Sequence, residues 1–411
     1  MVAEPVSATM QVLNRVISDT STFINKQQEK LQNSDSLNKI FHHESSFEPP
    51  QQQLSHIESL FNRITSHIYD IKLAYLSVIG LGIGYTAFQI RDRFYPGHQP
   101  QRINRRVPKL PNGARTDAVF IVGSFTDHLT RIIAYDLEKR GFTVFCSILD
   151  STDVKYIESN KVSDQIRFLD FTRQSVENAV GELHDILKTP VVPFANAEQH
   201  HFKLKAILFA PSWQFPLGPV ENTSISTWKK LNTRLQVVME MLTCGLLQLS
   251  RNQNSKLFLL NSSISSLDLP YHAPESIFQN ELGHLFTILG RELQQYGMSV
   301  TQIRLGNLRI SNQKVNSSTR IESLVNTEVR AWTSEMRDLY AADFAKIQFK
   351  SNAIRGSGGK GTPVKSLFHL LFDLIYADRN PPTVYCGKGA RFYHWLGRIL
   401  PTSCLGWYLR W

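Results

Sequence analysis

The chain has 411 residues, 42% of them hydrophobic, and a formal charge of +10 at pH 7. This length and composition predict a globular domain with extensions. Its four cysteines are widely spaced and form no CxxC pair, so the sequence favours neither a disulfide framework nor a zinc site.

Residues 1–70 are polar and rich in Gln, Ser and Asn, with two stretches of helical apolar spacing, which predicts a helical N-terminal extension. The first twenty residues hold neither the apolar core of a secretory signal nor the arginines of a transit peptide. Residues 73–90 then carry no formal charge. A helix of that length measures about 27 Å, close to the ~30 Å hydrocarbon thickness of a bilayer. We therefore predict one transmembrane helix over residues 71–91, with a buried core helix as the alternative.

Six basic residues and one aspartate lie between positions 91 and 109. By the positive-inside tendency, this bias places the large C-terminal part on the cytosolic or matrix side. The linker over residues 92–114 is expected to contact the anionic headgroups of membrane lipids. It lacks the interleaved aromatic residues of a nucleic-acid site, so no nucleic acid is expected as a partner.

From residue 115 onwards, near-continuous apolar strands alternate with amphipathic helices, predicted over residues 128–140, 174–187, 226–249 and 275–297. Such strands predict a parallel sheet covered on both faces. The fold class is therefore α/β, a Rossmann-type doubly wound parallel sheet over residues 115–390. Residues 351–363 are predicted to form a mobile loop. The tail over residues 391–411 has aromatic, leucine and arginine residues but no acid, and either packs on the domain or lies at a membrane interface.

The order of these segments resembles the short-chain dehydrogenase/reductase family over residues 120–411. The segment FLDFTRQSVENAV is similar to the family's third strand and the turn after it, and KLFLLNSSIS to the strand that carries the catalytic serine. The resemblance gives Ser262 that role and places Asp170 beside the adenine amine. More narrowly, a membrane anchor before a degenerate domain resembles an uncharacterised fungal family of mitochondria-associated proteins. This implies a single-pass protein of a mitochondrial membrane, with the endoplasmic reticulum as the alternative.

The family's phosphate turn has the form TGxxxGxG, because glycine lets the backbone approach the pyrophosphate. Here Gly123 and Ser124 begin the turn, but Asp127 and Leu129 occupy the second and third glycine positions. Asp127 either repels a phosphate or caps the following helix, and both roles weaken the site. Gly123, Ser124 and Asp170 are therefore vestigial candidates for binding NAD(P).

Two acidic residues, Asp150 and Asp153, follow the second strand. In this family an acidic residue at that place binds the ribose diol, so any bound dinucleotide is expected to be NAD rather than NADP. The fourth strand ends in Phe-Ala-Pro-Ser instead of the family's Asn-Asn-Ala-Gly, and the proline removes a backbone donor.

Catalysis in the family uses a tyrosine, a lysine four residues later and a serine. The resemblance aligns Glu275 with the tyrosine and Gln279 with the lysine, so only Ser262 is retained. Tyr271 is the nearest tyrosine, and Glu275, four residues later, is expected to raise its pKa. Glu275 itself acts either as a general acid or base or as a partner of the helix dipole. These four residues are the catalytic candidates, and no metal site is expected.

The sequence thus predicts a membrane-anchored protein, similar to short-chain dehydrogenases, that lacks standard redox catalysis and acts as a binding or scaffold module. The alternative is an NAD(P)-dependent oxidoreductase that uses a non-standard proton donor on a lipophilic substrate. The apolar stripe of helix 275–297 predicts core packing and, by the resemblance, a homodimer contact.

Overall fold

The computed structural model describes residues 105–192, 199–309, 317–355 and 361–399. Contacts divide the chain into residues 1–97 and 98–411, and all described residues lie in the second unit. The predicted N-terminal extension, the transmembrane helix at 71–91 and the linker up to residue 104 therefore lie outside the described residues. Within the described ranges, no helix is long and apolar enough to cross a bilayer.

Seven parallel strands form the central sheet in the order β3-β2-β1-β4-β5-β6-β9. These strands are β1 (Asp117–Val122), β2 (Thr143–Ile148), β3 (Ile166–Asp170), β4 (Lys203–Phe209), β5 (Lys256–Ser262), β6 (Val300–Leu305) and β9 (Thr383–Cys386). A second sheet pairs the short strands β7 (Leu308–Arg309) and β8 (Thr362–Pro363). The strand order reverses between β1 and β4, and in a doubly wound sheet the ligand crevice lies there, at the carboxyl ends of the strands.

The helices are α1 (His128–Arg140), α2 (Ser151–Ser159), α3 (Val176–Lys188), α4 (Ile225–Met241), α5 (Leu247–Gln253), α6 (Ala273–Gln294), α7 (Ser317–Arg330), α8 (Ser334–Arg355), α9 (Val364–Tyr376) and α10 (Ala390–Ile399). Helices α3, α4 and α6 pack on one face of the sheet, and α1 and α9 pack on the other. Both faces are covered by large apolar clusters because a parallel sheet built by crossover helices is buried on both sides. The predicted Rossmann-type sheet is confirmed.

The prediction of one continuous helix over residues 226–249 is wrong. Helix α4 ends at Met241, a five-residue π-helical turn follows, and α5 begins at Leu247. Within that turn Gly245 has φ 106°, a left-handed conformation that favours glycine and breaks the helical path. Helices α2, α7 and α8 were not predicted, and α8 continues to Arg355, into the segment expected to be a loop.

Both ends of the described region pack onto the domain. Arg105, predicted to lie in the linker, pairs with Asp373 of α9 at 3.0 Å, and the neighbouring Val107 is buried. Helix α10, predicted to lie in the tail, buries Tyr393 and His394. Gly397 of α10 lies so close to the backbone oxygen of Ser266 that a Cβ atom would collide with it. Residues 391–399 of the predicted tail therefore pack on the domain through the inner side of α10.

Candidate functional site

Gly123 follows β1 and packs against the end of β4. A Cβ atom at this position would collide with the backbone oxygen of Ala210, so the close approach of the two strand ends requires glycine. The amide of Gly123 donates to Ser147 Oγ at 3.0 Å. Gly123 is thus required for packing within the chain, whether or not a phosphate binds.

The carboxylate of Asp153, in the first turn of α2, is fully buried against the β1–α1 turn. Its Oδ1 accepts from Ser124 Oγ at 2.6 Å and from the amide of Thr126 at 2.9 Å. Its Oδ2 accepts from the amide of Leu149 at 3.2 Å. In a dinucleotide site, donors of this turn would face a phosphate. Here the Ser124 hydroxyl and the Thr126 amide donate to the carboxylate of Asp153 instead. Of the two acidic residues after β2, Asp153 lies inside the fold, whereas Asp150 is exposed.

Asp127 is the N-cap of α1. Its Oδ1 accepts from the amide of Leu129 at 3.4 Å, and its Oδ2 accepts from the amide of Trp213 at 3.0 Å. Burial raises the pKa of Asp127 above its ordinary value, and the two backbone hydrogen bonds oppose this shift. The capping role predicted for Asp127 is confirmed, and the same carboxylate also holds the loop after β4 against the helix.

Asp170 lies at the carboxyl end of β3, and its own turn engages its carboxylate. The Oδ1 atom accepts from the amide and hydroxyl of Thr172, at 2.8 and 2.6 Å, and from the amide of Arg173 at 3.1 Å. Burial acts to raise the pKa of Asp170, but the hydrogen bonds from Thr172 and Arg173 outweigh it and hold the pKa below its ordinary value. An adenine amine would compete with these internal donors.

A cavity of about 280 Å³ lies at the carboxyl ends of the strands, where β5 ends at Ser262 and β6 ends at Leu305. Its lining is partly apolar and includes two carboxylates: Asp127, His128, Leu129, Trp213, Ser262, Ile264, Glu275, Leu305, Gly306, Asn307, Leu308 and Tyr393. No lysine or arginine belongs to this set. A larger, open groove of about 730 Å³ runs along α3 and does not include Ser262.

Two of the catalytic candidates adjoin Ser262. Glu275 lines the same cavity, and its Oε2 lies 3.3 Å from Nδ1 of the buried His272. Gln279 is buried beneath Ser262 and accepts from the Ser262 amide through Oε1 at 3.3 Å. An uncharged amide thus occupies the position that the resemblance gives to the catalytic lysine, and it holds the strand end instead of a ligand.

Tyr271 lies away from the cavity and points towards α8. Its hydroxyl donates to Asp343 Oδ2 at 2.7 Å, and its ring packs edge-on against Phe344. Burial raises the pKa of Tyr271, and the hydrogen bond to Asp343 raises it further. The predicted rise is therefore confirmed, but its predicted cause, the charge of Glu275, is wrong. The structure does not bring Tyr271 to Ser262.

Tyr393, which the sequence did not single out, is the tyrosine that lines the cavity. It comes from α10, and burial raises its pKa, whereas a tyrosine that accepts a proton needs a lowered one. Within the described residues, no group of three or more His, Cys, Asp or Glu side chains is placed to hold a metal ion. The sequence places Tyr393 in a tail that is rich in aromatic residues, and it contains no other feature that points to a role for this tyrosine in the cavity.

Comparison with known proteins gives relatives in fungi and partial matches to solved structures. A UPF0744 protein of Schizosaccharomyces pombe is 22% identical over 67% of this chain and 72% of its own length. A UPF0744 protein of Saccharomyces cerevisiae is 27% identical over 58% of this chain, and the alignment spans about half, 54%, of that relative.

Two solved structures are similar in fold. One is a short-chain dehydrogenase from Streptomyces avermitilis, with 13% identity over 69% of this chain and 92% of that chain, and a TM-score of 0.46. The other is levodione reductase, with 13% identity over 67% of this chain and 98% of that chain, and a TM-score of 0.46. A family model covers residues 114–406, most of the chain. The chain belongs to the fungal family of unknown function DUF1776.

Proposed function

We propose that this domain is a binding or scaffold module that has lost dinucleotide-dependent redox catalysis. The observation that carries the proposal is the buried carboxylate of Asp153, which accepts from Ser124 Oγ and the Thr126 amide. A pyrophosphate at the same turn would have to displace this carboxylate or lie beside it. Two negative charges in a partly desolvated site repel each other, and hydrogen-bond donors already in use cannot offset that repulsion.

The proton-transfer groups support the same proposal. The resemblance aligns Glu275 and Gln279 with the tyrosine and lysine of short-chain dehydrogenases, and Gln279 accepts a hydrogen bond from the Ser262 amide. The tyrosine of the cavity, Tyr393, has a raised pKa because it is buried. No lysine among the cavity residues lowers it.

The cavity favours a small ligand that is neutral or cationic. Its volume of about 280 Å³ lies just below the range of roughly 300 to 1,000 Å³ that is typical of ligand pockets. Leucine and isoleucine side chains supply apolar contacts, Asp127 and Glu275 supply carboxylates, and the lining contains no lysine or arginine. We therefore expect a compact amphiphile bearing a hydroxyl or amine, and not a nucleotide.

Isothermal titration of NAD, NADH, NADP and NADPH into the full chain tests the proposal. We expect no heat of binding at micromolar ligand. Micromolar binding accompanied by turnover would overturn it. Mass spectrometry of organic extracts from the purified chain then identifies the class of any small ligand that it retains.

The second candidate function is an NAD(P)-dependent oxidoreductase that acts on a lipophilic substrate. Ser262 and Glu275 line one cavity and could orient and protonate a carbonyl there. The discriminating measurement is oxidation of NADH in the presence of apolar ketones. If this function is correct, Glu275→Gln and Ser262→Ala each abolish the reaction, while Tyr271→Phe leaves it unchanged because Tyr271 lies outside the cavity.

We propose that residues 71–91 anchor the chain in a mitochondrial membrane in contact with membrane lipids, with the C-terminal domain in the cytosol. The endoplasmic reticulum is the alternative location. The support is the uncharged stretch at 73–90 and the basic flank after it. Fluorescent tagging combined with protease protection tests both the membrane and the orientation, and a tag that fractionates as soluble protein refutes the anchor.

A homodimer through α6 is proposed from two exposed isoleucines of that helix, Ile277 and Ile288, which are 46% and 52% exposed. Isoleucines that are exposed singly are common on protein surfaces, so the main support is the resemblance to short-chain dehydrogenases, which implies a dimer contact through this helix. Light scattering of the full chain in detergent tests this contact. Ile288→Asp is expected to convert a dimer to a monomer, and an unchanged mass would refute it.

A further inference from the structure

Helix α10 has one face on the domain and another face towards solvent. Its inner side buries Ala390, Tyr393 and His394, and Tyr393 forms part of the cavity wall. The outer side exposes Phe392 and Ile399, which are 49% and 50% exposed. These two are seven residues apart and therefore lie on one stripe of the helix, two turns from each other.

The half-buried Trp395 lies between these two residues along the stripe, at helical spacing from both. Arg391 and Arg398, also seven residues apart, run beside the stripe and are exposed. Helix α10 contains no aspartate or glutamate. The exposed face thus combines large apolar side chains with positive charge and has no negative charge of its own.

This composition fits one kind of surface better than others. A helix that lies in a membrane interface inserts aromatic and aliphatic side chains below the headgroups, while its arginines reach the phosphates. A second protein copy would bring its own basic α10 to the contact, and the two positive faces would repel each other. Charge complementarity therefore favours an anionic lipid surface.

We propose that the outer face of α10 is a peripheral contact with an anionic phospholipid bilayer, which holds the cavity at the membrane surface. The proposal depends neither on the identity of the cavity ligand nor on the anchor at residues 71–91. It also explains how an apolar ligand could exchange with the bilayer, because the helix that touches lipid on one side carries the cavity wall residue Tyr393 on the other.

The contact can be measured with a spin label on the full chain reconstituted into vesicles. The label is placed by Ile399→Cys, with Val220→Cys, 60% exposed, as the matched site away from α10. Both are made in a chain in which Cys244 and Cys404 are replaced by Ser. The label's collisions with molecular oxygen report lipid, and its collisions with a water-soluble nickel chelate report water.

In vesicles of phosphatidylcholine with phosphatidylserine, we expect the label at position 399 to show high oxygen and low nickel accessibility. The label at position 220 stays open to nickel. Arg398→Gln is expected to lower the ratio of lipid-exposed to water-exposed label about fivefold, the effect of one basic residue at an anionic surface. Arg291→Gln on the exposed side of α6 leaves the ratio unchanged. The unfolding midpoint of each variant checks that α10 remains packed.

Three results would overturn the proposal. The first is that, with phosphatidylserine present, the label at position 399 is as accessible to the nickel chelate as the label at position 220. The label would show the same oxygen and nickel accessibility in vesicles without anionic lipid, which removes the role of charge. The two arginine variants would behave alike, which removes the role of Arg398.

Discussion

Replacing Asp153 by alanine tests the idea that an internal carboxylate takes the place of a bound anion. The substitution leaves two part-buried backbone amides, those of Thr126 and Leu149, without their side-chain acceptor, while the Ser124 hydroxyl keeps Thr126 Oγ1 as a partner at 2.7 Å. Each buried unsatisfied amide costs about 1 to 3 kcal/mol. Water that enters the space of the lost carboxylate offsets part of this cost, so we expect a loss of about 3 kcal/mol. With an unfolding entropy of about 2.1 cal/mol/K per residue over residues 105–399, the midpoint of thermal unfolding then falls by roughly 5 °C.

Urea unfolding of the full chain, followed by far-ultraviolet circular dichroism, gives the free energy of unfolding. The matched control is Asp150→Ala, because Asp150 precedes the same helix, is exposed and makes no side-chain cap bond. We expect this control to change the free energy by less than about 0.5 kcal/mol.

Inorganic pyrophosphate supplies the second readout, since it can occupy the amides that Asp153→Ala leaves open. It is expected to raise the midpoint of that variant and not that of the wild type or of Asp150→Ala. The reasoning is refuted if Asp153→Ala is as stable as the wild type, or if the wild type gains as much from pyrophosphate as the variant does.

Three further predictions concern single substitutions. Gly123→Ala forces a Cβ atom into the backbone of Ala210 and should cost about 3 kcal/mol, seen as a lower urea midpoint; an unchanged midpoint contradicts the packing role. Burial and two nearby arginines lower the pKa of His394 to about 4, so stability is lost as the pH falls from about 6.5 to 4, by at most roughly 3 kcal/mol. His394→Gln should remove this part of the pH dependence in urea titrations, and an unaltered profile assigns it to other groups. Tyr271→Phe breaks an exposed bond to Asp343 and should cost less than about 1 kcal/mol without altering ligand retention, which mass spectrometry checks.

The sheet could be predicted from the sequence because its strands are apolar runs that bury both faces. The bounds of α1 follow from local signals, the cap residue Asp127 and Gly141 at the C-terminal end, where φ is 109°. The break between α4 and α5 could not be predicted in the same way. Glycine at position 245 is compatible with a continuous helix, and only the packing of the surrounding turn places it at φ 106°.

The site was less predictable because its contacts join distant parts of the chain. The sequence indicates an acidic residue after β2 but not the direction of its side chain, and Asp153 turns inward to Ser124, 29 residues earlier. Tyr393 reaches the cavity only because α10 returns to the end of β5. Tyr271 was close to Ser262 in the sequence, yet its side chain packs on Phe344 instead. Proximity along the chain was a poor guide to both tyrosines.

The close contact of Gly397 with the backbone of Ser266 has a consequence for the size of the cavity. One added methyl group at position 397 would push the whole helix outward and carry Tyr393 with it. The volume of the cavity would then increase, although none of the residues that line it had been substituted. The volume of the cavity thus depends on Gly397, a residue that does not line it and has no side chain beyond a hydrogen atom.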